Sequence, residues 1–152
     1  MFRKFRPDVI ITRFSTEPGI THGHHTASAI LAQEAFELSG DPNAFSDQLK
    51  YVDPWQPAKI FWNTSWWFFR GRNESLDTTG LSKVDVGGYN PLLGKSYTEI
   101  SAKSRSMHKS QGFGASGSRG SEFEYLVRID TVGTGKSIFN GINTSWSRVE
   151  GG

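Results

Sequence analysis

Three of the four histidines in this chain lie within four residues, in the run Thr21-His-Gly-His-His25. His22 and His25 are three positions apart, so at the start of a helix they share one face and can serve one centre. Imidazole is a common zinc ligand and titrates near neutral pH. The cluster therefore predicts part of a metal site or of a hydrolytic site.

The histidines alone do not complete a catalytic zinc site, which normally has three protein ligands and a water. No His-Glu-x-x-His motif occurs in the sequence. Any further ligand must then be an acidic residue distant in sequence, or must come from outside the chain. The alternative is a solvated helix start whose histidines have no function.

The segments around the cluster predict how it is positioned. Residues 8–14 form a short β-branched run typical of a buried strand, and Pro18-Gly19 marks the turn in the loop that follows. Apolar residues then recur at helical spacing from Ala27 to Leu38, and Gly40-Asp-Pro42 ends the pattern. This order places the histidines beyond the carboxyl end of a strand, where open α/β sheets bind their ligands.

Further elements are predicted downstream. Strands are expected over residues 59–63, 83–86 and 122–129, and a second helix over residues 96–111, followed by a glycine-rich segment to residue 120. In that second helix, Tyr97, Ile100 and Met107 are expected on one side.

Composition narrows the class of protein. A chain of 152 residues can bury a core of its own, and a net charge of +2 from scattered basic residues does not favour nucleic acid as a partner. The absence of cysteine excludes disulfides and thiolate metal sites. No apolar run approaches the ~20 residues that span a membrane, and no targeting segment is recognisable, so the compartment stays open.

Two other functions remain as alternatives. Trp62, Trp66 and Trp67 can form a flat platform for sugar rings, which would make the chain a non-catalytic carbohydrate-binding or scaffold domain. The run from Gly133 to Ser137 is superficially similar to a phosphate-binding loop. Its required first glycine would fall at position 130, which is Asp130.

As an ensemble, several segments resemble the PIG-L (LmbE-like) family of zinc-dependent N-deacetylases. They are Pro7-Asp-Val-Ile-Ile-Thr-Arg-Phe14, His22-Gly-His-His25 with the helix after it, the stretch from Gly94 to Ser110-Gln111, and the tail from Ile138 to Arg148. The resemblance implies that residues 1–115 are the C-terminal part of a Rossmann-like, three-layer α/β domain with a mostly parallel sheet. Residues 116–152 would begin a linker or accessory domain.

The resemblance also implies roles for individual residues. His25 would be a ligand of Zn²⁺, and His22 would be the catalytic group that stabilises the oxyanion. His24 stands where many members have aspartate. Weaker expectations for substrate binding fall on His24, Trp66, Ser110 and Gln111.

The family's early His-Pro-Asp-Asp motif, which supplies two zinc ligands and an aspartate general base, does not occur in this sequence. We therefore expect a piece of a longer enzyme whose zinc site is incomplete and inactive without the N-terminal part of the same domain. The implied substrate is an N-acetylated amino sugar, such as an N-acetylglucosamine conjugate, and the implied complete protein is a bacterial hydrolase. Its compartment stays open, and an extracytoplasmic location is one option.

Overall fold

The computed structural model describes residues 1–64, 77–111, 114–130 and 137–148. These residues form a mixed α/β structure, as the sequence predicts. Its α-helices and strands are α1 (Phe2–Phe5), β1 (Val9–Thr12), α2 (Gly23–Ser39), β2 (Lys59–Thr64), β3 (Ser82–Asp85), β4 (Tyr89–Asn90), β5 (Lys95–Ser96), α3 (Tyr97–Arg105) and β6 (Phe123–Arg128). Short 3-10 helices occur at Ser46–Lys50, Lys109–Gln111 and Trp146–Arg148.

The larger sheet has the strand order β1-β2-β6-β3. β1 pairs in parallel with β2, with Ile10 opposite Ile60, whereas β2 pairs antiparallel with β6, with Trp62 opposite Val127. The sheet is therefore mixed, and its β1–β2 pair is parallel, as expected. The Rossmann-like, three-layer domain stays a prediction.

The predicted strand–loop–helix order around the histidines is confirmed. Parallel strands need a crossover connection, and α2 lies in the one between β1 and β2. The helix begins at Gly23, after His22 in an extended conformation, and its C-cap is Gly40. Gly40 comes directly before Asp41-Pro42, the stop signal in the sequence.

The core of this part of the chain lies on β2. Phe61 is fully buried and Ile60 nearly so, and α2 contributes Ala29 and Phe36 to the set of buried apolar side chains. Full burial of a side chain such as Phe61 stabilises the fold by roughly 1.5–3 kcal/mol. β2 is buried at five of its six positions and lies inside the sheet, between β1 and β6.

Two buried cations are satisfied by backbone carbonyl groups. Arg3 of α1, only 4% exposed, donates to carbonyls at the C-terminal end of α2 and just beyond it. The last carbonyls of a helix lack partners within the helix and attract positive charge. Lys59 of β2 donates in the same way to Ile138 and Asn140, near the end of the chain. The sequence did not predict α1 or either contact.

The chain divides into two compact units, Met1–Ser82 with Tyr125–Gly152, and Lys83–Glu124. The second unit contains the β4–β5 pair and α3. Ser96 caps α3: its hydroxyl accepts from the Glu99 N–H, and the Glu99 carboxylate accepts from the Ser96 N–H. The expected division at residues 115–116 stays a prediction.

The second helix is shorter than predicted. α3 ends at Arg105, where the Ser106 hydroxyl donates to the Ala102 carbonyl and accepts from the Ala115 N–H. A serine that binds the backbone in this way competes with helix continuation. Met107 therefore lies beyond α3 and is 66% exposed, so the predicted apolar face that included it was wrong.

Among the described residues, no helix is both long and apolar enough to cross a membrane.

Candidate metal centre

The three clustered histidines lie where the loop after β1 meets the first turn of α2. His22 is the N-cap residue, with φ −64° and ψ 147°, and His24 and His25 belong to the first turn. One ring nitrogen from each can be chosen so that all three lie within 4.8 Å of one another. His22, His24 and His25 can therefore hold a metal ion together.

The rings of the three histidines differ in their spacing. His24 and His25 are the closest pair, with ring centroids 4.1 Å apart in an edge-on arrangement. The His22 ring lies 5.5 Å from that of His25 and 5.8 Å from that of His24. His22 and His24 are exposed and His25 is half-buried, so the cluster has a face open to solvent.

Phe14 packs against one member of the cluster, His25. Its ring stacks on that of His25 at a centroid distance of 3.9 Å and an interplanar angle of 3°. Partial desolvation lowers the pKa of His25, and the neighbouring His24 and His22 lower it further. The neutral imidazole is the form that binds a metal, so these surroundings favour the ligand form of His25.

The ends of β1 and β2 are joined by side-chain hydrogen bonds. The Thr12 hydroxyl donates to the Phe61 carbonyl at 3.3 Å, and the Arg13 guanidinium donates to the Asn63 side chain. Since β1 and β2 are parallel, their carboxyl ends meet at one edge, and the loop that carries the histidines leaves from that edge. Ligands bind at this edge in open α/β sheets.

The other predicted site residues are Trp66, Ser110 and Gln111. Ser110 is exposed on the 3-10 helix Lys109–Gln111, which belongs to the second unit, as does the fourth histidine, His108. Trp66 lies outside the described residues, and the substrate-binding role of Ser110 and Gln111 stays a prediction. Of the predicted site residues, His22, His24 and His25 lie together in the described part of the chain.

Neither alternative function gains a defined site. Trp62 is half-buried on β2, whereas Trp67, like Trp66, lies outside the described residues. In the glycine-rich run, positions 133–136 are outside them as well. The sugar platform and the nucleotide loop therefore stay predictions.

Sequence reasoning missed three residues at this edge: Phe14, Arg13 and Asn63. Phe14 and Arg13 directly follow β1, and Asn63 lies near the end of β2. Their position after a predicted strand was a usable signal, because side chains at the carboxyl ends of parallel strands converge. The pairings themselves depend on the strand register.

Comparison with known proteins adds no relative. The chain matches no protein-family model, no curated protein and no solved structure at a significant level. The arrangement of the chain's own residues must therefore support any functional assignment.

Proposed function

We propose that the chain forms part of a zinc-dependent hydrolase that removes the acetyl group from an N-acetylated amino sugar or sugar conjugate. The observation that carries the proposal is the histidine cluster, with ring nitrogens within 4.8 Å of one another, on the crossover between two parallel strands. The resemblance of the histidine segment and its flanking strand and helix to PIG-L deacetylases supports the choice of reaction.

The donor set fits zinc. The cluster offers neutral nitrogen ligands of borderline softness, and the sequence has no cysteine that would favour a thiolate site. Its solvent-exposed side leaves room for a water or a substrate oxygen. Zinc bound at such a site polarises a carbonyl group and lowers the pKa of a bound water.

The chain's own residues have defined tasks in this proposal. His25 holds the metal, and Phe14 fixes the orientation of its ring. The resemblance implies that His22 donates a hydrogen bond to the oxyanion of the tetrahedral intermediate and so stabilises its developing charge. It assigns the general base to an aspartate of a motif that this sequence lacks.

The metal centre is tested by zinc calorimetry on metal-stripped protein. We expect one zinc to bind the parent chain and His25→Ala to weaken binding at least tenfold, or about 1.4 kcal/mol. His108→Ala is the matched control, since it removes the one histidine outside the cluster and should leave affinity unchanged. Equal affinity of the parent and His25→Ala would remove His25 from the site.

The reaction is tested separately. A His-Pro-Asp-Asp segment from a PIG-L enzyme is fused before Met1, and acetate release from an N-acetylglucosamine conjugate is measured with and without zinc. We expect zinc-dependent release that His25→Ala abolishes and His108→Ala does not. A fusion that binds zinc and folds but releases no acetate would contradict the deacetylase assignment while leaving the metal centre in place.

A further inference from the structure

We propose that His22, His24 and His25 all coordinate one metal ion and leave a fourth position open. The proposal rests on the proposed function for its metal centre and adds the full ligand set. It makes His22 a metal ligand, in place of the oxyanion role that the resemblance implies. The chain would then carry a complete donor set without the early His-Pro-Asp-Asp motif.

Ring spacing supports His22 as a ligand. With a zinc–nitrogen distance of about 2.1 Å and tetrahedral angles, the centroids of two imidazoles on one zinc lie roughly 5 Å apart. The centroid separations of 5.5 Å between His22 and His25 and of 5.8 Å between His22 and His24 are close to that value. A small closure of the cluster is enough for His22 to share an ion with either of the other two rings.

His24 needs the largest adjustment. Its centroid lies 4.1 Å from that of His25, which is shorter than co-ligation requires, so its ring must move outward by roughly 1 Å. His24 is exposed, and a rotation of its side chain meets little resistance. His25 is instead fixed by its stack on Phe14, so it is the stationary ligand around which the others arrange.

The backbone explains how three histidines so close in sequence can face one point. Within a continuous helix, residues two apart are rotated by about 200° around the axis and lie on nearly opposite faces, so His22 and His24 could not share an ion. His22 is the N-cap and has ψ 147°, which is extended and not helical. This break in the helical geometry brings its ring beside the first turn of α2.

The open position gives the site its chemical use. His22 and His24 form the exposed part of the cluster, whereas the ring of His25 is stacked on Phe14. Three imidazoles and one solvent oxygen are a donor set of catalytic zinc sites. A site of this kind accepts a water or the carbonyl oxygen of an amide at the fourth position.

The ligand set is tested with Co²⁺ and Zn²⁺ on the metal-stripped full chain. We expect one equivalent of Co²⁺ to give the intense visible absorption of a four-coordinate site, and zinc-edge X-ray absorption to show three imidazole nitrogens. His22→Ala, His24→Ala and His25→Ala should each weaken zinc binding at least tenfold, and His108→Ala should not. The visible and X-ray absorption measurements are made on the parent chain, so their results do not depend on whether the variants fold.

The possible outcomes distinguish a failure of the three-histidine ligand set from a failure of the proposed deacetylase function. If His25→Ala loses zinc and His22→Ala binds as tightly as the parent, the three-histidine set is wrong and the single-ligand assignment stands. If the parent shows three imidazoles but the fused enzyme releases no acetate, the ligand set stands and the deacetylase function fails. If the parent binds no zinc, the three-histidine ligand set is overturned, and acetate release by the fused enzyme decides the deacetylase function.

Discussion

At the scale of single residues, the contact between Phe14 and His25 converts a flexible histidine into a positioned one. The two rings are nearly parallel and 3.9 Å apart, and His25 is the one member of the cluster that is not exposed. A ring held in this way loses less freedom when it binds a metal than a ring in solvent does. Phe14 is therefore a positioning residue for the centre.

Replacing Phe14 tests that role. Phe14→Leu keeps an apolar side chain but removes the flat face, and aromatic pairs contribute about 0.5–1.5 kcal/mol beyond their buried area. We expect zinc affinity to fall by a factor of about 2 to 12, measured by calorimetry. Phe5→Leu, at an exposed phenylalanine of α1, is the control. Unchanged affinity in Phe14→Leu would show that the stack does not orient His25.

At the scale of elements, the C-terminal end of α2 is held by a side chain from α1. Arg3 donates to the carbonyls of Ser39, Asp41 and Ala44, at 3.1, 2.7 and 2.7 Å. The Ser39 and Asp41 carbonyls also accept backbone N–H groups, from Trp55 and Ala44, so Arg3 adds a charged donor to a network of hydrogen bonds at this helix end. One buried guanidinium thus satisfies several carbonyl groups and fixes α1 against α2.

Removing the Arg3 guanidinium should destabilise the fold. We expect Arg3→Met to lower the free energy of unfolding by about 2–4 kcal/mol, because it removes several charge-assisted hydrogen bonds that a buried side chain makes. Arg6→Met is the matched control: its ion pair with Asp53 is solvent-exposed, so its loss should cost less than about 1 kcal/mol. Urea denaturation measures both. A similar cost for the two variants would show that Arg3 is not an anchor.

The capping box at the start of α3 makes the stability of this helix depend on pH. The hydrogen bond from the Ser96 N–H lowers the pKa of Glu99, and Arg119 adds to this, against a smaller opposing effect of desolvation. The folded state therefore favours the ionised carboxylate. Its contribution is present above the ordinary glutamate pKa of about 4.3 and is lost as the pH falls through the lower folded value.

Glu99→Gln isolates the charge, because glutamine can still accept the hydrogen bond of a capping box. We expect the melting temperatures of the parent and Glu99→Gln to differ most near pH 7 and to converge below about pH 4. Glu17→Gln, at an exposed glutamate in the loop after β1, is the control. A difference that stays constant over this pH range would contradict the charge effect.

At the scale of the whole molecule, residues far apart in sequence complete one unit. Asp130, whose side chain is 7% exposed, accepts from the Ile60 N–H on β2 and forms a two-point ion pair with Arg128 of β6. Burial by itself raises the pKa of Asp130, but the hydrogen bonds from Arg128 and Ile60 outweigh it and leave the pKa lowered. The carboxylate therefore ties the late strand to the early one.

Asp130→Asn should weaken that tie. It leaves Arg128 without its anionic partner at a largely buried position, and we expect a loss of about 3–5 kcal/mol in the free energy of unfolding. Asp53→Asn removes a carboxylate that is 82% exposed and should change it by less than about 1 kcal/mol. Chemical denaturation at pH 7 compares them. Equal, small effects would show that the Asp130 contacts do not hold the strands together.

The site was only partly predictable for a physical reason. The types of His22 and His25 and their closeness along the chain are local properties, so sequence was enough to select them. The prediction that they share a helix face was wrong, because His22 is the extended N-cap and lies outside α2. Phe14 and Asn63 gain their roles from where β1 ends and from how β1 pairs with β2. Those contacts cross about 10 to 50 positions of the chain and depend on tertiary register.

The amino-acid sequence by itself determined the α/β class, the strand before the histidines, and the helix from Gly23 to Ser39 with its stop at Gly40. These features follow from apolar periodicity and turn residues, which act over a few positions. Only the tertiary structure decided the mixed sheet, the buried cations Arg3 and Lys59, and the close approach of three imidazoles. Each of these requires segments to meet in space, or a backbone angle such as the extended N-cap His22, which no local pattern specifies.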